Sequence, residues 1–125
     1  MDAITARRTL AQLRLAVGIS ALVAPRLSAR VMGIDLADRS TPYLLRLFGA
    51  REVYMASPFL MPAPGLDEAE LASRAVPVDA ADAVAALAAG VRGHLPWRAA
   101  LPGALAAVTG AWLGSVAAKD DRRAG

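Results

Sequence analysis

Residues 99–118 form a run of twenty residues without a charged side chain, and this run constrains the fold more than any other feature. An α-helix of about 20 apolar residues is long enough to cross the roughly 30 Å hydrocarbon core of a bilayer. Arg98 precedes the run, and a cluster of charged residues at 119–123 follows it. The run therefore predicts a membrane-spanning helix over residues 99–118.

The composition extends this prediction to the whole chain. Hydrophobic residues make up 56% of the 125 residues, mean hydropathy is +0.41, and alanine alone accounts for about a quarter of the chain. A soluble domain of this size buries only a modest share of its surface and has difficulty hiding so much apolar material. A bilayer accepts apolar side chains on the outside of a protein. We expect one membrane-embedded domain over residues 1–125, with a soluble alanine-rich bundle as the alternative.

Three further apolar segments, separated by proline, glycine and charge, predict three more helices. The four helices are expected at about residues 10–31, 42–61, 77–92 and 99–118. Pro42 and Pro77 suit the first turn of a helix, and Gly33 suits a helix end. Short connections between the segments predict an all-α, up-down, four-helix transmembrane bundle. The first and third apolar stretches are shorter than a full span, so they would need a locally thinned bilayer.

Ionisable residues inside the predicted helices carry the most information about function. Helix two contains Arg46 and the adjacent pair Arg51 and Glu52, and helix three contains Asp79 and Asp82 on one face. Ionisable groups at membrane depth are costly and are usually paired or functional. Helices two and three share a loop and should be antiparallel neighbours. We therefore predict that Arg51 or Arg46 binds Asp82 or Asp79.

The role of this charged cluster stays open at this point. Glu52 points about 100° away from Arg51 on the helix, so it needs Arg14 as a further donor or a water-filled cleft. One interpretation is a structural ion network that fixes the register of the helices. Another is a functional pocket, in which Glu52, Asp79 and Asp82 act as acid/base or proton-carrying groups and Arg51 binds an anion. A third treats the two aspartates as exposed first-turn acids favoured by the helix dipole.

Helix four also carries a ridge of small residues at every fourth position: Ala106, Gly110 and Gly114. Such ridges let two helix backbones approach closely in lipid. The ridge predicts either packing against a neighbouring helix of the same chain or a homodimer through helix four. Tyr43 and Trp97 stand where helices two and four begin, which favours a position at one membrane surface.

Other functional classes find little support. Because the chain has no cysteine and one histidine, His94, thiolate sites and His-rich metal sites are excluded, and no metal or cofactor is predicted. The sequence contains no catalytic triad, P-loop or dinucleotide fingerprint, which disfavours an enzyme of these classes. The net charge is +3, and the basic residues mostly flank apolar segments instead of forming one stripe. This pattern favours membrane anchors over nucleic-acid binding.

The basic residues bear on the orientation of the chain in the membrane, and the N-terminal residues bear on whether a signal peptide is present. The predicted topology places cationic residues 7, 8, 74, 119, 122 and 123 on the side of the termini, and 26, 30, 39, 92 and 98 on the other. Six against five favours cytoplasmic termini by a small margin. Arg7 and Arg8 before the apolar run at 15–24 are also compatible with a signal peptide, although no clear cleavage site follows.

Three stretches of the chain resemble a family of small bacterial four-helix membrane proteins of unknown function: LRLAVGISALVAPRLSARVMGID, RLFGAREVYMA and PVDAADAVAALAAG. They cover most of the chain, and GARE and VDAAD are their most distinctive parts. The resemblance implies a membrane location, four helices, an Arg-acid pair at Arg51 and Glu52, and spaced acids at Asp79 and Asp82. It implies no activity. We expect an accessory or interaction protein of the bacterial cytoplasmic membrane, with a membrane-embedded enzyme or carrier as the alternative.

Overall fold

The computed structural model describes residues 1–119, and this part of the chain is all-α. Its helices are α1 (Ala3–Val23), α2 (Pro25–Val31), α3 (Thr41–Leu60), α4 (Glu68–Val91) and α5 (Trp97–Ala117). The predicted all-α class is confirmed for these residues. The predicted second and fourth helices agree with α3 and α5 to within two residues at each end. The polar segment after Lys119 lies outside the described residues.

The four long helices alternate in direction. α1 packs against α3 on one side and against α5 on the other, α4 packs on α5, and α3 meets α4 only lightly. We call the end that holds Asp2, residues 61–67 and Lys119 the termini end. We call the opposite end, which holds α2 and residues 92–96, the α2 end.

The predicted first helix, residues 10–31, is wrong in two respects: it begins earlier, at Ala3, and it is divided at Ala24 into α1 and α2. Asp2 caps α1, because its carboxylate accepts hydrogen bonds from the amide and the hydroxyl of Thr5. These bonds hold the pKa of Asp2 below its ordinary value. α1 ends before Ala24, since Pro25 has no N–H to donate to the preceding turn, and this proline is instead the first residue of α2.

The predicted third helix begins too late, at Pro77 instead of Glu68. The carboxylate of Asp67 accepts from the amides of Ala69 and Glu70 and so caps the helix. Acidic side chains in the first turn are also favoured by the helix dipole. Pro77 therefore lies inside α4, and the acidic segment and the apolar segment form one continuous helix.

Within residues 1–119, α5 is the one helix with the length and composition to cross a membrane, with a mean hydropathy of 1.4. α1 and α3 each contain three charged residues and α4 contains five. These residues lower the hydropathy of the other three long helices. The predicted bundle of four membrane spans is therefore not supported: among the described residues, length and composition fit a span for α5 alone.

Small residues build the interior of the bundle. Among the described residues, thirteen of the sixteen buried hydrophobic side chains are alanine, and the other three are leucine. Large hydrophobic side chains point outward instead, and twenty-three of them are exposed. This is the reverse of the usual partition in a soluble domain, where large apolar residues fill the core.

Two glycines allow α1 and α3 to approach each other very closely. A Cβ added to Gly49 would lie 2.6 Å from the carbonyl oxygen of Gly18, and a Cβ added to Gly18 would lie 2.8 Å from that of Gly49. The two helices therefore touch backbone to backbone. Arg14 lies one turn before Gly18, so this contact brings its side chain within reach of α3.

Candidate functional site: a buried ion network

Five charged side chains from three helices form one continuous ion network. They are Arg14 of α1, Arg51 and Glu52 of α3, and Asp79 and Asp82 of α4. In order of contact the network runs from Asp79 through Arg14, Glu52 and Arg51 to Asp82. Acidic and basic groups therefore alternate, and all five residues lie near the middle of their helices.

Arg14 is the centre of the network. Its Nη1 donates to Oε2 of Glu52 at 2.7 Å, and its Nη2 donates to Oδ2 of Asp79 at 2.6 Å. All three residues are buried, with relative exposures of 5%, 6% and 4%. The planar guanidinium presents its donors as a fork, so one arginine holds two carboxylates on different helices.

Arg51 forms the outer half of the network. Its Nη2 donates to Oδ2 of Asp82 at 2.5 Å and to Oε1 of Glu52 at 3.1 Å. The guanidinium carbon also lies 5.1 Å from the centre of the Phe48 ring, a cation–π distance. The side chains of Arg51 and Asp82 are 37% and 36% exposed. This half of the network therefore lies at the lightly packed edge between α3 and α4.

α5 completes the surroundings of the network with small residues. A Cβ added to Gly110 would lie 3.0 Å from Oδ2 of Asp79, and one added to Gly114 would lie 3.0 Å from a methyl carbon of Val76. Two residues of the predicted ridge therefore pack against α4 of the same chain. The third, Ala106, is exposed.

The network contains one more acidic group than basic groups. Its members are three carboxyl and two guanidinium groups, and within residues 1–119 no ion pair links it to another charged side chain. Nε of Arg14 and Nε of Arg51 are buried and have no hydrogen-bond partner in the described part of the protein. A buried N–H without a partner costs free energy. Within residues 1–119, the network therefore has one carboxyl group without a matching cation and two N–H groups without an acceptor.

The structure decides between the contacts that the sequence allowed. The predicted bond between Arg51 and Asp82 is confirmed. The alternative donor, Arg46, takes no part in the network, because its exposed side chain donates to a backbone carbonyl of α1 at 3.3 Å. Asp79 binds Arg14 of α1 rather than an arginine of α3. Both aspartates lie in the middle of α4, so their interpretation as first-turn acids is also wrong.

The central role of Arg14 was not predicted from the sequence. Its bond to Glu52 is among the predicted alternatives, whereas its bond to Asp79 is not. The available signal was the position of Arg14 as the one charged residue in the second half of α1. A lone charge in an apolar helix needs a partner, and α4 carries the spare carboxylate.

Neither a search for metal-binding groups nor a comparison with known proteins assigns a function to the site. Within residues 1–119, no group of three or more histidine, cysteine, aspartate or glutamate side chains is arranged to hold a metal ion. Comparison with protein-family models, with curated proteins and with solved structures finds no match for this chain. The ion network and the outer surface therefore carry the functional argument.

Proposed function

We propose that this protein is an integral membrane protein of the bacterial cytoplasmic membrane, and that it acts as a non-catalytic accessory or interaction protein braced by the ion network. The observation that carries the proposal is the inverted partition of side chains, with large apolar residues outside and alanine and charge inside. In water, that surface would favour aggregation. In a bilayer, the surrounding lipid is as apolar as the exposed side chains.

The outward-facing side chains between the ion network and the α2 end support this placement. They include Val17, Ile19 and Val23 of α1, Leu44 and Leu47 of α3, Val84, Leu87 and Val91 of α4, and Leu101, Leu105 and Val108 of α5. We call these residues the apolar band. Among residues 15–23, 41–50, 83–91 and 99–109, Arg46 is the one exposed charge. Its long aliphatic stem can carry the guanidinium toward the α2 end and the membrane surface.

Hydroxyl groups on the helix surfaces also fit a lipid environment. Ser20, Thr109 and Ser115 are exposed, and each donates to the carbonyl oxygen four residues before it, at 2.6, 2.9 and 2.8 Å. A hydroxyl that bonds its own helix in this way needs no water. Lipid-facing polar groups have to be satisfied inside the helix.

All tryptophans and tyrosines are exposed and lie at two levels along the bundle. Tyr43 and Trp97 are at the α2 end, and Tyr54 and Trp112 lie close to the level of the ion network. At 1.5 Å per residue, the two levels are about 17 Å apart along α3 and about 22 Å apart along α5. Because tryptophan and tyrosine concentrate at membrane–water interfaces, this spacing supports a thin hydrocarbon-facing zone.

A structural role for the ion network follows from the weakness of other helix–helix forces. In lipid, helices associate through close packing and interhelical hydrogen bonds, without a hydrophobic driving force. The buried alanines provide close packing but little side-chain interlocking. Every carboxyl group of the network accepts from a guanidinium, and Arg14 alone links α1 to both α3 and α4. We infer that these bonds fix the register of α1, α3 and α4 relative to one another.

The unmatched acidic group favours one alternative, a membrane-embedded enzyme or carrier. In it, Glu52 and Asp79 or Asp82 would act as acid/base or proton-carrying groups, and Arg51 would bind an anion at its half-exposed edge. Proton flux into reconstituted vesicles distinguishes the two roles through the variant Glu52→Gln. If the wild-type chain carries protons and Glu52→Gln loses this flux without losing stability, the carrier is supported. If the wild-type chain carries no protons and Glu52→Gln is less stable, the structural role is supported.

Membership of the family of small bacterial four-helix membrane proteins and a homodimer through α5 belong to the same proposal. Of the three ridge residues, Ala106 is the one exposed for contact with a second copy. Crosslinking of an Ala106→Cys variant in membranes tests the homodimer, because the chain has no other cysteine.

Membrane fractionation after expression in a bacterial host tests the proposed location. The full chain is expected to stay in the membrane pellet after an alkaline carbonate wash and to dissolve only with detergent. Recovery of a monodisperse, helical chain from the supernatant without detergent would contradict the proposal and favour the soluble alanine-rich bundle.

A further inference from the structure

The α2 end of the bundle is strongly cationic. Its arginines are Arg26, Arg30, Arg39, Arg46, Arg92 and Arg98, and we call these six residues the basic cap. Among the described residues, none of the six forms an ion pair. Five of them are fully on the surface of loops or helix ends, and Arg46 reaches the same end from the second turn of α3.

The two acidic residues at this end do not neutralise the basic cap. The carboxylate of Asp35 accepts from the amide of Ala37, and that of Asp38 accepts from the amide and hydroxyl of Ser40. These local bonds hold the pKa of Asp38 below its ordinary value and commit both carboxylates to turns. Six arginines against two ionised aspartates leave the α2 end with a net charge of +4.

The termini end has a different charge balance. Its described charged residues are the acids at 2, 67, 68 and 70 and the bases at 7, 8, 74 and 119. Four acidic and four basic groups cancel, and Arg74 pairs directly with Glu70 at 2.5 Å. The excess positive charge of the described chain is thus confined to the α2 end.

The positions of α2 and α5 bring arginines from different helices onto one surface. Gly33, just after α2, has a φ of 71°, a conformation that favours glycine. A Cβ added there would lie 3.2 Å from Cγ of Arg98 at the start of α5. The end of α2 therefore lies directly against Arg98, and the arginines of the two helices share one side of the molecule.

An apolar groove of about 610 Å³ runs along α1 and α2. Its walls include Val17, Val23, Leu27 and Val31, and all four side chains are exposed. Leu27 and Val31 each follow an exposed arginine of α2 directly in sequence. Arg26 and Arg30 therefore belong to the same short helix as one wall of the groove.

We propose that the α2 end binds an anionic phospholipid, with the phosphate on the basic cap and one acyl chain in the groove. The inference rests on the proposed membrane location. The arginine fork matches phosphate oxygens, and the adjoining groove matches an alkyl chain. Tyr43 and Trp97 lie at the same end, where interfacial aromatics mark the level of the headgroups. A nucleic acid would match the charge, but it would leave the groove and the apolar band uncovered.

Partition of the purified full chain from detergent into vesicles tests this inference. The vesicles contain phosphatidylcholine alone or phosphatidylcholine mixed with phosphatidylglycerol. The wild-type chain is expected to favour the anionic vesicles, and added salt should weaken the preference. The variant Arg26→Gln/Arg30→Gln/Arg98→Gln should lose about fivefold in partition for each arginine removed.

A matched variant at the other end provides the control. Arg8→Gln/Arg74→Gln/Lys119→Gln removes the same charge from exposed positions at the termini end and should keep the preference for anionic vesicles. A Val17→Trp variant, which fills the groove, should reduce the amount of phosphatidylglycerol retained by the purified chain in native mass spectrometry. Circular dichroism verifies that each variant is helical.

Equal partition of the wild-type chain into both vesicle types would overturn the lipid inference and leave the membrane proposal standing. An equal loss in the two triple variants would also overturn it, since the effect would then be one of net charge. Failure of the wild-type chain to enter either vesicle would instead contradict the proposed membrane function.

Discussion

Nη2 of Arg14 donates a 2.6 Å hydrogen bond to Oδ2 of Asp79 and so joins α1 to α4 across the interior of the bundle. These two helices pack mainly against others, α1 against α3 and α5, and α4 against α5. The bond is therefore a diagonal link between helices that share little surface. With its second bond to Glu52, Arg14 ties three helices together.

Removal of Arg14 should destabilise the protein strongly. Arg14→Gln leaves the carboxylate of Asp79 buried without a cation, and breaking a buried pair in this way costs about 3–5 kcal/mol. The measurement is the free energy of unfolding in detergent micelles. Arg8→Gln on the same helix, at an exposed position, is the matched control and should change stability by less than about 0.5 kcal/mol. Similar losses in both variants would mean that the network is not a brace.

The acidic members of the network should differ in their contributions. Asp79→Asn leaves two carboxyl and two guanidinium groups, so the remaining charges match, and the expected loss is about 1–2 kcal/mol. Asp82→Asn affects a pair that is more than one-third exposed and should cost within about 1 kcal/mol. The order Arg14→Gln, Asp79→Asn, Asp82→Asn, from largest to smallest loss, is measured in the same unfolding assay. A reversed order of the two aspartate variants would place the centre of the network at Arg51 instead.

The backbone contact between α1 and α3 should tolerate no side chain. Gly49→Ala would place a Cβ 2.6 Å from the carbonyl oxygen of Gly18, and overpacking of this kind costs about 1–3 kcal/mol. In Gly103→Ala the nearest atom would be 3.8 Å away, so the control should gain up to about 1 kcal/mol in helix propensity. Thermal unfolding followed by circular dichroism compares the two. A Gly49→Ala variant as stable as the wild-type chain would show that the two backbones are not in direct contact.

Contacts between helices joined by a short loop could be predicted from the sequence. Arg51 and Asp82 lie on helices that share the loop at residues 61–67, and the rise per residue places them within reach of each other. The bond between Arg14 and Asp79 depends instead on the order of helices around the bundle. No local pattern encodes that order in a chain whose helices are apolar or small on most faces.

Helix boundaries and the composition of the core could likewise be predicted only in part from the sequence. The start of α4 was missed because Pro77 resembles a first-turn residue, whereas the Asp67 cap at the true start is a weaker signal in sequence. The total apolar content of the chain follows directly from its composition. Which apolar residues are buried could not be predicted, because in this bundle alanine lies inside and leucine and valine lie mostly outside.

Accessibility of single cysteines to a charged maleimide tests most directly the central claim that the apolar band faces lipid. The wild-type chain has no cysteine, so Val84→Cys, Leu105→Cys and Ser73→Cys each introduce one reactive group at an exposed position. In open membrane sheets, Ser73→Cys at the termini end should react rapidly. Val84→Cys on the same helix and Leu105→Cys on α5 should react only after detergent and denaturant are added. Equal and rapid reaction at all three positions in the intact membrane would contradict the account.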